Sequence, residues 1–426
     1  MEVCGRVKEE RRQSFDKSIV RMSAEVLVEP IRTEQPDVEN KCGHIGFEDR
    51  GGNRMTAKEA RGAAVPRHPD PITPLVYSRR SGVLSTLGQS PDACCLLAES
   101  VDGRIMSMSA VLYPSVEPYE SGLLEVADGQ SLYWETVGNP AGIPVLYLHG
   151  GPGAGCTVGA RRFFDPEAFR AVLFDQRGCG RSLPLASSPD VDLTVNTTAH
   201  LLDDIERLRE HLGIERWLVS GLSWGVSLGL VYAQAFPGRV IGMALGAITG
   251  GSRLEIEWIT RAMGRIFPRE WEEFVAPLPV EDRDGNLPAA YARLLADPDP
   301  VVRENAALQW CRWEDVHVSL MPGWTPSVRY QNPDFRRVMT RLVTHYWANG
   351  CFLAPNQILD GMDRLAEIPA ILVHGRYDIS GPLDTAWAIH QRWPGSELVV
   401  LDDAGHGGGG FNEAIVEALN SLAHSV

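Results

Sequence analysis

From about Tyr113 onward, short apolar runs bounded by glycines recur: IPVLYLHGG (143–151), AVLFDQRG (171–178), RWLVSGLS (216–223), VIGMALGA (240–247), AILVHGRYD (370–378) and ELVVLDDAGH (397–406). These runs are nearly continuous in Val, Ile and Leu and do not alternate, which suits strands of a parallel sheet covered on both faces. Helix-spaced stretches lie between them. TTAHLLDDIERLREHLG sets its leucines and isoleucine on one face and stops at Gly213, a usual helix-ending residue; SLGLVYAQAF stops at Pro237. Alternating strand and helix with right-handed crossovers predicts a doubly wound, mostly parallel α/β sheet. Residues 250–350 break the rhythm. They are Trp-rich and helical in texture (EIEWITRAMGRIF, REWEEFVAPL, AAYARLL, FRRVMTRLVTHYW), with no convincing strand. A helical insertion between two core strands predicts a lid over the carboxyl edge of the sheet, where α/β active sites lie.

The first 110 residues are different in kind. Phe15, Phe47 and Tyr77 are their only aromatics, whereas all 11 Trp lie at or beyond Trp134. Without sustained periodicity, such a segment buries too little apolar area to offset its ordering entropy and is expected to be largely disordered. The other reading is that the protein starts near Met106 or Met108 and the rest is an over-extended start. No function is assigned to it. The expected organisation is therefore an N-terminal segment (1–110), a first part of the α/β core (111–249), a helical cap (250–350) and a second part of the core (351–426).

Charge and composition narrow the function classes. Of 426 residues, 44% are hydrophobic and 22% charged, ordinary for a globular chain. A formal net charge of −15, with no Lys/Arg stripe after the N-terminal region, argues against a nucleic-acid partner. No run reaches the roughly 18 apolar residues of a membrane span, and the charged start lacks a secretory h-region. The eight cysteines are scattered without a C-x-x-C pair, as free thiols of a reducing compartment would be, so a cytoplasmic location is expected. With no H-E-x-x-H and no spaced Cys/His set, no metal and no cofactor are expected. The expected partner is a small peptide or small-molecule substrate; oligomeric state is not legible.

The chemistry centres on Gly221-Leu222-Ser223-Trp224-Gly225, a G-x-S-x-G placed after a strand-like run and before a helix, the context of a nucleophile elbow. A serine hydroxyl needs a base beside it, and the chain order in this architecture is Ser, acid, His. Asp378 follows the strand-like AILVHGRY, and His406 follows ELVVLDDAG in the same way, flanked by glycines. The acid would hold the imidazole's tautomer while His406 takes the Ser223 proton. Among rivals, Asp402 and Asp403 read as polar turn residues, Asp384 as a helix cap, and His374 and His390 as structural histidines. His149-Gly150-Gly151-Pro152-Gly153, straight after IPVLYL, is an HGGG-type loop, so the Gly151 and Trp224 amides are the expected oxyanion donors. A phosphate loop would need a following Lys-Ser/Thr, which is missing, and the proline removes a donor.

Taken together, HGGPGAGC, FDQRGCGRS, the NTT before a long helix, GLSWG, HGRYD and AGH resemble the proline iminopeptidase family of α/β-hydrolases, from about Tyr113 to about His406. That resemblance implies Ser223, Asp378 and His406 as the catalytic triad. It also implies that Glu314, in the pair Trp313-Glu314, reads the substrate's free amino end. Four positions depart from the family pattern. Val343 stands where a second glutamate is usual and Trp347 replaces the Phe of the following His-Tyr-Phe. Gly246 and Thr249 stand where an arginine and a phenylalanine are usual. These departures are expected to fall on the substrate pocket, to which Glu314 and Trp347 are assigned. The leading expectation is an aminopeptidase releasing N-terminal proline or another small residue. The alternative keeps the triad but takes a small ester, lactone or amide without a free amine; a non-enzymatic binding protein is opposed by the intact Ser, Asp, His order.

Overall fold

The computed structural model of the protein describes residues 112–425 apart from 319 and 321–323; the expectations for residues 1–110 lie outside the described residues. The six apolar runs form β3 (Ile143–Leu148), β4 (Phe169–Phe174), β5 (Trp217–Leu222), β6 (Val240–Gly246), β7 (Ala370–Gly375) and β8 (Ser396–Leu401). All of them pair in parallel. Before them, β1 (Glu120–Glu125) and β2 (Ser131–Gly138) form an antiparallel hairpin that pairs antiparallel onto β4. The strand order is β1-β2-β4-β3-β5-β6-β7-β8.

The continuous apolar runs have a direct cause. In β3, Leu146 and Leu148 enter the core on one face while Val145 and Tyr147 enter the core on the other. Val172 and Phe174 of β4 divide from Ala171 and Leu173 in the same way. A strand buried on both faces cannot afford polar positions. On one face lie α1 (Thr198–His211) and α2 (Trp224–Ala235), whose buried side chains, Leu201, Ile205, Val226 and Leu230 among them, fill that core. Gly213, just past α1, has a φ of 63°, the left-handed value of a helix-ending glycine.

Between β6 and β7 the described residues contain no strand. They form α3 (Arg253–Thr260), α4 (Pro268–Val275), α5 (Leu287–Leu295), α6 (Pro300–His317), α7 (Pro333–Ala348) and α8 (Gln357–Asp360). Starts are well marked: Ser252 and Glu255 close a capping box on α3, and Asp299 and Asn332 cap α6 and α7 ahead of Pro300 and Pro333. This helical stretch has an aromatic core of its own. Phe274 stacks on Tyr291 at 4.8 Å and on Trp313 at 5.3 Å, with Trp310 edge-on at 5.5 Å. Such pairs contribute about 0.5–1.5 kcal/mol each beyond area burial. Two helices complete the fold after β7, α9 (Leu383–Gln391) and α10 (Phe411–Ala423). Asp384, expected to cap a helix, instead sits in the first turn of α9, whose cap position is Pro382.

Candidate active site

Ser223 stands between β5 and α2 with φ 56° and ψ −121°, a conformation that a non-glycine residue holds only when its surroundings enforce it. Enforcement comes from three hydrogen bonds. The Ser223 amide donates to the Gly246 carbonyl at 3.0 Å, the Thr249 hydroxyl donates to the Ser223 carbonyl at 3.0 Å, and Ser227 Oγ donates to the Thr249 carbonyl at 2.9 Å. Gly221 and Gly225 leave room for the bend: a Cβ on Gly221 would overlap the Gly225 carbonyl, and one on Gly225 the Leu148 carbonyl. Gly225→Ala should therefore destabilise the fold by about 1–3 kcal/mol, the usual range for overpacking, read from denaturant unfolding. An unchanged midpoint would show that the elbow tolerates a methyl group.

His406 lies in the glycine-rich turn after β8, and Asp378 lies in the turn after β7. The two turns are pressed together, since a Cβ on Gly375 would overlap the Ala404 and Gly405 carbonyls. His406 Nδ1 is 2.8 Å from Asp378 Oδ2, and His406 Nε2 is 3.0 Å from Ser223 Oγ. Asp378 also accepts the Gly381 amide at 3.0 Å. Burial alone would push the Asp378 carboxyl up, but the charge and hydrogen bond of His406, with His374 and the Gly381 amide, hold it below its ordinary value. Burial likewise pulls His406 down, but the Asp378 charge and hydrogen bond, and the charge of Glu314, lift it above its ordinary value near 6.5. An ionised Asp378 therefore accepts a hydrogen bond from His406 Nδ1–H, which keeps the proton on Nδ1 and leaves Nε2 as the acceptor facing the serine hydroxyl.

None of the rival residues is hydrogen-bonded to Ser223 or His406. Asp402 pairs with Arg376 on the surface at 2.6 Å, and Asp403 lies in the turn against Gly409. His374 accepts the Ile248 amide at 3.1 Å and donates to the Gly381 carbonyl at 2.8 Å. His390 pairs with Ser396 at 2.8 Å.

Gly151 and Trp224 line the same cavity of about 310 Å³ as Ser223 and His406. Neither amide has a hydrogen-bond partner among the described residues. The loop comes very close to the elbow: a Cβ on Gly150 would lie 3.2 Å from the Leu222 carbonyl and 3.4 Å from Ser223 Cβ.

Glu314 and Trp347 both line this cavity. Glu314 Oε1 accepts the Trp310 indole N–H at 2.9 Å. Its Oε2 lies 3.0 Å from His317 Nε2. Burial would raise the Glu314 carboxyl. The charge and contact of His317, the Trp310 indole and the charge of His406 outweigh it and hold the carboxyl below its ordinary value, as an anion. His317, which the sequence reading did not single out, is 2.7 Å from Ser380 Oγ through its other nitrogen. The signal for it was present: it stands one helical turn past Glu314 on α6.

The pocket departures need correcting at two of their positions. Gly246 does not line the cavity. It is buried inside β6, where a Cβ would overlap Ile415, Leu222 and Phe411, so no arginine fits there. Val343 also lies off the cavity wall, fully buried with Trp310 and Trp313 in the core of the helical stretch. Thr249 does line the cavity. Among the described residues, no group of three or more His, Cys, Asp or Glu side chains is placed to hold a metal ion, and no helix is long and apolar enough to cross a membrane.

Residues 143–411 match the alpha/beta hydrolase fold family. The solved structure of VinJ superposes with a TM-score of 0.50 at 20% identity, covering 72% of this chain and 99% of that one, a likeness of fold. Sequence relatives are nearer. The chain is 52% identical over 317 residues to a probable proline iminopeptidase of Streptomyces coelicolor, covering 73% of this chain and 98% of the relative. It is 42% identical over 313 residues to a probable proline iminopeptidase of Leptolyngbya boryana, covering 72% and 96%. By fold, then, the molecule is an α/β-hydrolase, and within that fold the chain belongs to the proline iminopeptidase family.

Proposed function

We propose that this protein is a cytoplasmic serine aminopeptidase that releases N-terminal proline, or another small residue, from peptides through an acyl-enzyme. One observation carries the reading: the Ser223–His406–Asp378 hydrogen-bond chain opens into the same cavity as an ionised Glu314. In this mechanism His406 Nε2 takes the hydroxyl proton as Ser223 Oγ attacks the carbonyl of the N-terminal residue. The Gly151 and Trp224 amides hold the oxyanion; one such donor is worth about 3 kcal/mol of transition-state stabilisation. His406 then passes the proton to the departing peptide amine, and water releases the acyl group by the same route in reverse. Glu314 pairs with the substrate's ammonium group, which places the first residue's carbonyl at Ser223. The helices between β6 and β7 act as the lid that closes this cavity.

The site predicts its own pH dependence. The base form of His406 is required, so kcat/KM rises with pH through an apparent pKa above 6.5, the ordinary histidine value, and falls away as His406 is protonated below it. Asp378→Asn removes the charge that lifts His406; kcat drops by about 10⁴-fold and the acid limb moves to lower pH. A limb at the same pH in both enzymes would detach Asp378 from the base.

A second reading has specific support. With Val343 buried among tryptophans, Glu314 has no second carboxylate at the family's usual position, and His317 already lies against it. An acyl ester or amide without a free amine would suit a pocket whose Glu314 already has a neighbour at 3.0 Å. Hydrolysis of proline and alanine arylamides against acyl p-nitrophenyl esters separates the two. Arylamide preference supports the aminopeptidase; a wide margin for the esters supports the second reading.

A further inference from the structure

Gln176 follows β4 in the stretch Asp175-Gln176-Arg177, is almost fully buried, and has no role in the mechanism above. Every polar group it carries toward the site is used. Its backbone N–H donates to His149 Nε2 at 3.0 Å, its side-chain Nε2 donates to the His149 carbonyl at 3.1 Å, and its Oε1 accepts the Trp224 indole N–H at 2.9 Å. One side chain thus ties the start of the His149-Gly150-Gly151 loop to the first residue of α2. Those two segments carry the two oxyanion amides.

The hydrogen-bond pattern also orients one of those amides. Because His149 Nε2 accepts from Gln176, the imidazole proton resides on Nδ1, 2.9 Å from the Gly150 carbonyl, to which it donates. The Ala154 amide donates to the same carbonyl at 3.3 Å. In a planar trans peptide the carbonyl and the next N–H point in opposite directions. With the Gly150 carbonyl held by His149 and Ala154, the Gly151 N–H is turned the other way. It is left without a partner among the described residues, in the cavity that holds Ser223.

We propose that Gln176 is a positioning residue of the oxyanion site: its amide sets the spacing between the Gly151 and Trp224 donors by bracing His149 against the Trp224 indole. The proposal rests on the acyl-transfer reading of Ser223 but not on the identity of the acyl group. A displacement of about 1 Å at such donors costs on the order of 10²-fold in rate. A structural role alone would lower the melting temperature and leave the ratio of kcat to KM effects unbiased.

The test is Gln176→Ala in the full chain, assayed with proline arylamide and with an acyl p-nitrophenyl ester. Inhibition by proline aldehyde, whose adduct places an oxygen in the oxyanion site, is compared with inhibition by free proline. The expected result is a kcat lower by about 10²-fold with KM within twofold. The aldehyde inhibition constant should rise in parallel, and that of proline should not move. Should the alanine variant not fold, Trp224→Phe removes the same indole bond and leaves the backbone amide in place, and the same parallel loss in kcat and aldehyde affinity is expected. Wild-type kcat and aldehyde affinity in the variant that folds, or a loss confined to KM, overturns the proposal. Wild-type enzyme that turns over the ester but no arylamide overturns the substrate reading alone, since the ester then carries the Gln176 comparison.

Discussion

Ser223→Ala is expected to lower turnover of every substrate by about 10⁶-fold, the cost of deleting the nucleophile in a triad of this kind, with the protein still folded. Among the described residues the hydroxyl makes one hydrogen bond, to His406 Nε2 at 3.0 Å, and the strained backbone at φ 56° is held by Gly246 and Thr249 rather than by the side chain. Melting should therefore change little, which separates a chemical loss from an unfolded protein. Covalent labelling of the wild-type enzyme by a fluorophosphonate should disappear in the variant. Labelling that persists, or residual turnover near the wild-type level, would move the nucleophile elsewhere in the molecule.

Glu314→Gln divides recognition from chemistry. Glutamine retains an acceptor for the Trp310 indole and nearly the same volume, so the cavity wall stays in place. The charge goes, and with it the proposed partner of the substrate's ammonium. Truncating one member of a buried charged pair costs about 2–5 kcal/mol, so kcat/KM for proline arylamide should drop by about 30-fold to 5,000-fold, chiefly through KM. Acyl ester turnover should stay within a few-fold. The Glu314 charge also helps lift His406, so the acid limb of the pH profile shifts to lower pH. Equal losses on arylamide and ester would mean that Glu314 serves the chemistry and not the amino end.

What was legible in the sequence follows from burial. The six parallel strands carry apolar residues on both faces and stand out as continuous runs. The hairpin of β1 and β2 went unseen because β1 reads ESGLLE, a mostly exposed edge strand with only a weak alternation. Ser223, Asp378 and His406 were legible because each follows a strand end in an order the fold imposes. The pocket was harder. Gly246 and Val343 were placed there by position in a pattern, yet the last residue of β6 packs against Ile415, Leu222 and Phe411, and a helix residue between Met339 and Trp347 packs against Trp310 and Trp313. His317 was signalled by its place one turn past Glu314, but its tie to Ser380, 63 residues away, was not, and Gln176 takes its meaning from Trp224, 48 residues away. No local spacing reports such a contact.

The most direct test compares proline arylamide with its N-acetyl derivative, the same acyl residue and leaving group with the ammonium removed. A site in which Glu314 holds a free amino terminus beside Ser223 cleaves the free amine at least about 30-fold faster and loses that margin in Glu314→Gln. Equal rates on the two compounds would show that the cavity reads no amino terminus, and would leave a hydrolase whose substrate is a simple acyl group.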